Sequence, residues 1–352
     1  FPDYQTSKGI LTKVQTILIE LNRVEDYPKI VENFGYGDIA LVELDTLAYD
    51  AAHFQYRELN FETARDGFKK YLETYDNAIF GLSANFYKAE CEVRLGNYEK
   101  ALKNYNVVID QPQNKFSENA LAAASKINFA NLDFDQALSN YIMLEKVAEF
   151  PSNILDAKVG QMKCFFFLNN YTSAINFSRI VISEEKVQEN TLIDAQVIIA
   201  RSYLAMDSLM LALQEFQVTS SATQSEIGAE SKYFMARIRY DQGDLKGAES
   251  EVFELVNRVP TYAFWIAKGL ILLSDIYVAT EDLFQAKATL QSILDNYEGD
   301  ATVLQEVREK IASVEELQKP TEKETIYEDI DVDFEGMNAV YDELFEEELE
   351  DE

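Results

Sequence analysis

Histidine is almost missing from this chain: there is one, His53, in 352 residues, alongside one tryptophan, two cysteines, six prolines and 13 glycines. Each scarcity removes something. A single histidine rules out two-histidine zinc motifs and makes any Ser-His-Asp triad depend on one residue. Cys91 and Cys164 lie in apolar stretches 73 residues apart, which argues against a bridge between them, and both read as small core residues. So few Gly and Pro cannot supply the turns of a many-stranded β protein. Basic residues are scarce too: 31 Lys and Arg face 62 Asp and Glu, a formal net charge of -31. A phosphate backbone or an anionic lipid surface repels such a chain, so nucleic acid is not an expected partner. No run approaches the roughly 18 apolar residues of a membrane span, so this segment is not expected to insert. The opening residues show no leader-like pattern, and any secretion signal is expected to lie upstream of Phe1.

Signatures of catalysis are missing as well. There is no P-loop and no GxSxG elbow, and Gly35 and Gly37 in NFGYGD have neither a strand before them nor a third glycine after. The stretch DIDVDFEG lacks the glycine and the final glutamate of a calcium loop. Carboxylates abound, yet nothing singles out an acid-base pair. No enzymatic activity, cofactor or metal is expected.

What the chain does have is a phrase that returns. LGNYEKA ends at Ala101, NLDFDQA at Ala137, LNNYTSA at Ala174, MDSLMLA at Ala212, QGDLKGA at Ala248 and TEDLFQA at Ala286; ELNFETA ends earlier, at Ala64. A weaker copy, RVEDYPKI, puts Ile30 in the alanine's place. The steps between these markers are 34, 37, 36, 37, 38, 36 and 38 residues. A period this steady announces a repeat array, which adds core one repeat at a time.

Residues 82–109 show one unit. Phe86, Ala89 and Val93, then Tyr98, Ala101, Leu102, Tyr105 and Ile109, follow the spacing of two amphipathic helices. Gly96 suits the left-handed end of the first helix, and Asn97 the cap of the second. Small residues recur twelve positions before the alanine, at Ala52, Ala89, Ser125, Ala200, Ala236 and Ser274, with Met162 the exception. Two antiparallel helices approach closely only where bulk is absent at the crossing. Tyr98, Phe134, Tyr171, Leu209, Leu245 and Leu283 are expected to fill the space beneath each turn.

This small, aromatic, small pattern on a helix hairpin resembles the tetratricopeptide repeat (TPR) over roughly residues 7–296, as seven good units and one degraded one. The stretches FYKAECEVRLGNYEKAL and AKGLILLSDIYVATEDLFQAKATLQSILDNYEGD resemble the C-terminal part of long Bacteroidota cell-envelope TPR proteins. The resemblance implies an all-α, right-handed α-solenoid, periplasmic or outer-membrane-associated, that serves as a scaffold. It departs from the family pattern in keeping the turn glycine only at Gly96 and Gly243, and in repeats longer than the usual 34 residues.

The expected organisation is an array over residues 1–302, a capping helix over 303–318 and an acidic tail over 319–352. FPDYQ looks like a junction between repeats, so the array is expected to continue upstream of Phe1, where any lipid anchor would lie. In the TPR register the groove-facing positions of the first helices carry Lys126, Lys163, Arg201 and Arg237, with Phe129, Phe166, Tyr233 and Tyr240 beside them. Cations interleaved with rings suit a peptide bearing carboxylates and aromatic side chains. The alternative is that these cations balance neighbouring acids on a solvated face.

From Lys319 to Glu352 fifteen acids stand against two lysines. Such a tail is not expected to fold alone. Yet Tyr327 and Phe334 sit in a strand-like alternation, and Tyr341, Leu344 and Phe345 in a helix-like one, as in segments that fold on a partner. The target is either the chain's own groove or another protein. The sequence reading is therefore a non-catalytic interaction scaffold in an envelope complex, with an outer-membrane protein or assembly factor as partner. Two alternatives stay open: a cytoplasmic adaptor regulated by its own tail, and an array that only self-assembles.

Overall fold

A computed structural model describes residues 4–34 and 39–319, and among these are seventeen α-helices and no strand. The chain begins with α1 (Tyr4–Glu20), a 3-10 turn (Val24–Asp26) and α2 (Tyr27–Asn33). Seven hairpins follow. They pair α3 (Leu41–Arg57) with α4 (Phe61–Thr74), α5 (Gly81–Arg94) with α6 (Tyr98–Ile109), and α7 (Ser117–Ala130) with α8 (Phe134–Val147). Next come α9 (Pro151–Phe167) with α10 (Tyr171–Ser183) and α11 (Glu189–Ala205) with α12 (Leu209–Ala222). The last two pair α13 (Glu226–Asp241) with α14 (Leu245–Val256) and α15 (Ala263–Ala279) with α16 (Leu283–Asn296), before α17 (Ala301–Leu317). The helices divide into two compact units, α1 to α12 within Phe1–Thr223 and α13 to α17 within Gln224–Glu352.

One turn is used in every hairpin. The residue five before the recurrent alanine has positive φ each time: Leu59, Gly96, Leu132, Asn169, Asp207, Gly243 and Glu281, between 54° and 78°. The next residue's N–H reaches back five residues, as from Asn97 to the Glu92 carbonyl at 2.8 Å and from Asp133 to Asn128 at 2.9 Å. The left-handed residue's own N–H reaches back three, as from Gly96 to Val93 at 3.0 Å. This double bond to the helix end satisfies carbonyls that would otherwise be orphaned. Only two of the seven positions are glycine, so five turns hold a side chain in the left-handed region, an arrangement that costs roughly 1–2 kcal/mol for most residues.

Second helices start on caps that follow from sequence in part. Asp133, Asn170, Asp244 and Asp282 accept from the backbone N–H three residues on, a bond worth about 1 kcal/mol. Asn97 does not: its side-chain amide donates instead to Glu92 at 2.7 Å. Tyr98 departs from expectation too, since it stands half exposed rather than filling the turn.

The crossing residues are buried as the spacing requires. Ala64, Ala101, Ala137, Ala174, Ala212, Ala248 and Ala286 have no exposed surface, and their partners Ala52, Ala89, Ser125, Met162, Ala200, Ala236 and Ser274 have almost none. Cys91 and Cys164 are buried free thiols, both pushed up to about 12 by burial.

In the first unit each second helix lies against the next hairpin's first helix, α4 on α5, α6 on α7, α8 on α9 and α10 on α11. In the second unit α14 packs on α15, and α17 packs on α15 and α16. Val303, Val307 and Val314 of α17 are buried among Ala267, Ile271, Leu290 and Ile293, each worth about 1.5–3 kcal/mol relative to exposure. Lys268 to Glu306 at 2.8 Å and Lys310 to Asp275 at 2.5 Å tie α17 to α15.

The first hairpin corrects the sequence register. Its left-handed residue is Asn22, φ 55°, and the Arg23 N–H reaches back to the Leu18 carbonyl at 2.8 Å, the turn of the other hairpins. Five residues on stands Tyr27, not Ile30, so the step to Ala64 is 37 residues rather than 34. A tyrosine replaces the crossing alanine, which is why the sequence copy looks weak.

Candidate functional site

The cations singled out by the TPR register are spread over both units. In the first, Lys126 on α7 donates to Asp156 on α9 at 2.7 Å, and Lys163 on α9 donates to Asp194 on α11 at 2.8 Å. The two pairs repeat the same geometry: a cation eleven residues before one crossing alanine meets an acid eighteen before the next. Arg201 has a partner of its own. Phe129 and Phe166 beside them are half buried, Phe129 edge-on to Phe134 at 5.3 Å and Phe166 edge-on to Tyr171 at 6.1 Å. They fill the space beneath the turns as well as facing outward.

In the second unit Arg237 turns back along its own helix, its guanidinium 3.0 Å from Asp241 and 5.9 Å from the centroid of Tyr240. The Asp241 hydrogen bond raises its pKa further. An acid cannot meet it from α15 at the repeat-equivalent position, because that position is Lys268. Tyr233 packs against Phe234 and Trp265, at 5.2 and 5.6 Å. Lys126 and Asp156 are both more than a third exposed, and a pair so open to water is worth no more than about 1 kcal/mol. A partner's carboxylate can displace the aspartate at little cost, so the pairing is compatible with peptide contact.

His53 occupies the equivalent place in α3. Its ring lies 4.7 Å from that of Tyr87 and is stacked at 5.6 Å on Tyr49 and 6.3 Å on Tyr56. Burial first, and then Arg57, lowers its pKa, so the neutral imidazole is favoured. Among the described residues no group of three or more His, Cys, Asp or Glu side chains is placed to hold a metal, and no helix is long and apolar enough to cross a membrane.

Sequence reasoning missed a second surface, on the outer faces of the second helices. Six residues after the crossing alanine, four successive hairpins of the first unit display Val107, Met143, Ile180 and Val218, between 39% and 51% exposed. The helices that carry them, α6, α8, α10 and α12, are together neutral. Their acids Glu99, Asp135, Glu145 and Glu215 are matched by Lys100, Lys103, Lys146 and Arg179. On a chain of net charge -31, four apolar side chains in register on a neutral face are not scattered surface residues. The signal was present in the sequence at a fixed offset from each marker. Tyr327, Phe334, Tyr341, Leu344 and Phe345 of the tail, and Gly35 and Gly37, lie outside the described residues.

Comparison with known proteins agrees with this architecture. A tetratricopeptide-repeat family profile matches residues 83–114, and a profile of the coatomer epsilon subunit matches residues 158–239. No curated protein matches the sequence significantly. Among solved structures, the C-terminal part of a TPR repeat-containing protein from Cytophaga hutchinsonii aligns with a TM-score of 0.53 at 16% identity, covering 73% of this chain and 98% of that one. A signal-transduction ATPase of the STAND class with a TPR sensor, from Pyrococcus horikoshii, aligns with a TM-score of 0.52 at 13% identity, over 91% of this chain and 51% of the other.

Proposed function

We propose that this chain, whose fold is that of the TPR proteins, is a protein-interaction scaffold in an envelope complex at the periplasmic side of an outer membrane. It engages partners through its helical surfaces and its acidic tail. The observation that carries the reading is the apolar row Val107, Met143, Ile180 and Val218 on a neutral face. A face of this kind is the part of a strongly acidic chain on which another protein can settle without charge repulsion. The recurrent residues at the hairpin crossings are consumed by packing, so function falls to the surfaces. The tail joins the reading through its spaced aromatic residues, which solubility alone does not require. The envelope location rests on the resemblance of the repeats to Bacteroidota envelope TPR proteins.

The test is chemical cross-linking in intact source cells followed by mass spectrometry. Lys100, Lys103 and Lys146 flank the apolar row, and the proposal expects them to cross-link to an envelope protein. Cross-links only to cytoplasmic proteins would overturn the location, and cross-links distributed evenly over all lysines would overturn the surface.

A further inference from the structure

The first unit contains a trough that the regular hairpins do not explain. It encloses about 600 Å³ between the start of the second helix of the first hairpin, α3 and α4. Its floor is apolar, made by Leu44 and Ala48 of α3 over the buried Leu47 and Ala51. Its walls carry Glu25 on one side and Glu62, Asp66 and Lys70 of α4 on the other. The lining along α4 continues from Glu62 to Thr74, about 18 Å of helix at 1.5 Å per residue. The cavity is therefore a long slot rather than a compact chamber.

Its origin is legible in the chain. Tyr27 occupies the crossing position that alanine holds elsewhere, and its hydroxyl donates to Glu43 at 2.8 Å and accepts from Gln15 at 2.9 Å. The second helix of this hairpin begins as a 3-10 turn and α2 has seven residues, where other second helices run 12 to 14. Pro28 is the one residue of this short helix that lines the slot beside α4.

We propose that this slot receives a basic amphipathic helix from a partner protein, its apolar ridge on Leu44 and Ala48 and its Lys or Arg side chains against Glu25 and Glu62. Small floor residues allow another helix to come close, as alanines do at the hairpin crossings. Asp66 is paired with Arg65 at 2.9 Å, which leaves Glu25 and Glu62 against Lys70 on the walls, a balance that favours a cationic flank over an acidic one. The length matches about three helical turns, enough for anchors at i, i+3 and i+7. Lys70 of the slot stands six residues after Ala64, where later hairpins carry Val107 to Val218, but no residue of the apolar row lines the slot.

The test is fluorescence anisotropy of the full chain with a labelled synthetic helix of about 14 residues, made of Leu, Ala and Lys with lysine on its polar face. A twin peptide carries Glu at every Lys position. The lysine peptide is expected to bind and the glutamate twin not to bind. Because a chain this acidic attracts any polycation, the decisive variants keep charge constant: Ala48→Trp fills the floor and Thr63→Trp fills the exposed wall. Each is expected to weaken binding about tenfold, whereas Glu62→Gln with Glu25→Gln weakens it and Glu99→Gln, outside the slot, does not. Circular dichroism confirms that the variants fold, and Thr63→Trp, on an exposed position, keeps the test open if Ala48→Trp does not. Failure of the lysine peptide to bind, equal binding of its twin, or binding to a folded filled-slot variant as to the wild type overturns the proposal.

Discussion

Tyr27 stands where Ala64 stands one hairpin later: each lies five residues beyond a left-handed residue, Asn22 and Leu59, and each is buried. The two positions are structurally equivalent and chemically opposite. Ala64 is buried at the crossing of α3 and α4, whereas Tyr27 anchors its hairpin to Glu43 on α3. Tyr27 is thus both the defect in the repeat and the fastening that joins the degraded hairpin to the regular ones.

Tyr27→Ala is accordingly expected to destabilise rather than regularise the first hairpin. Removing a buried ring costs about 3–5 kcal/mol, and in a repeat array that loss stays local. Hydrogen exchange should show α1 and α2 losing protection while α7 to α10 keep theirs. Uniform loss across the first unit would contradict the local account.

The shared turn gives a paired prediction. Gly96 has φ 77° and open space where a Cβ would go, so Gly96→Ala tests backbone conformation alone and should cost about 1 kcal/mol. Leu132 holds φ 62° with its side chain largely exposed, so Leu132→Gly should stabilise by about 0.5–1 kcal/mol. Urea denaturation of both variants checks the opposite signs.

Close packing between hairpins is sharpest at Gly160 of α9, where a Cβ would lie 2.4 Å from the ring of Tyr141 on α8. Gly160→Ala is expected to destabilise by about 1–3 kcal/mol through overpacking, seen as a lowered Tm. A second change, Tyr141→Leu, should recover part of that loss by making room.

His53 makes stability depend on pH in a definite direction. Its folded pKa lies below the unfolded value of about 6.5, so the unfolded chain binds the proton more readily. The contribution is fully present above that value and is lost as pH falls through it. The difference in unfolding free energy between wild type and His53→Gln should therefore shrink from pH 8 to pH 5, and a difference that grows would contradict burial as the cause.

Much of the fold was open to reading because the repeat forces it. The alanines from Ala64 to Ala286 and their partners, small in every hairpin but that of Met162, show the hairpin crossings in the sequence, since small residues let helices come that near. The left-handed turns at Leu132 and Glu281 were hidden, because nothing in a leucine or glutamate announces positive φ. The surrounding double hydrogen bond imposes it. The register slip at the first hairpin has the same origin: spelling favoured Ile30, while backbone geometry selects Tyr27. Among candidate site residues, Lys126 and Lys163 were found by register, but their partners Asp156 and Asp194 depend on the angle between successive hairpins, which no single sequence states. The apolar row was legible and overlooked, because single exposed Val, Met and Ile residues look ordinary until aligned by repeat.

The most direct test of the scaffold account is native co-purification from the source membrane using the full chain, a form truncated after Gln318, and the double variant Met143→Glu with Ile180→Glu. The account predicts a defined protein partner with the full chain, reduced or lost when the apolar row is charged or the tail removed. Recovery of the same partners at the same yield from all three forms would contradict it.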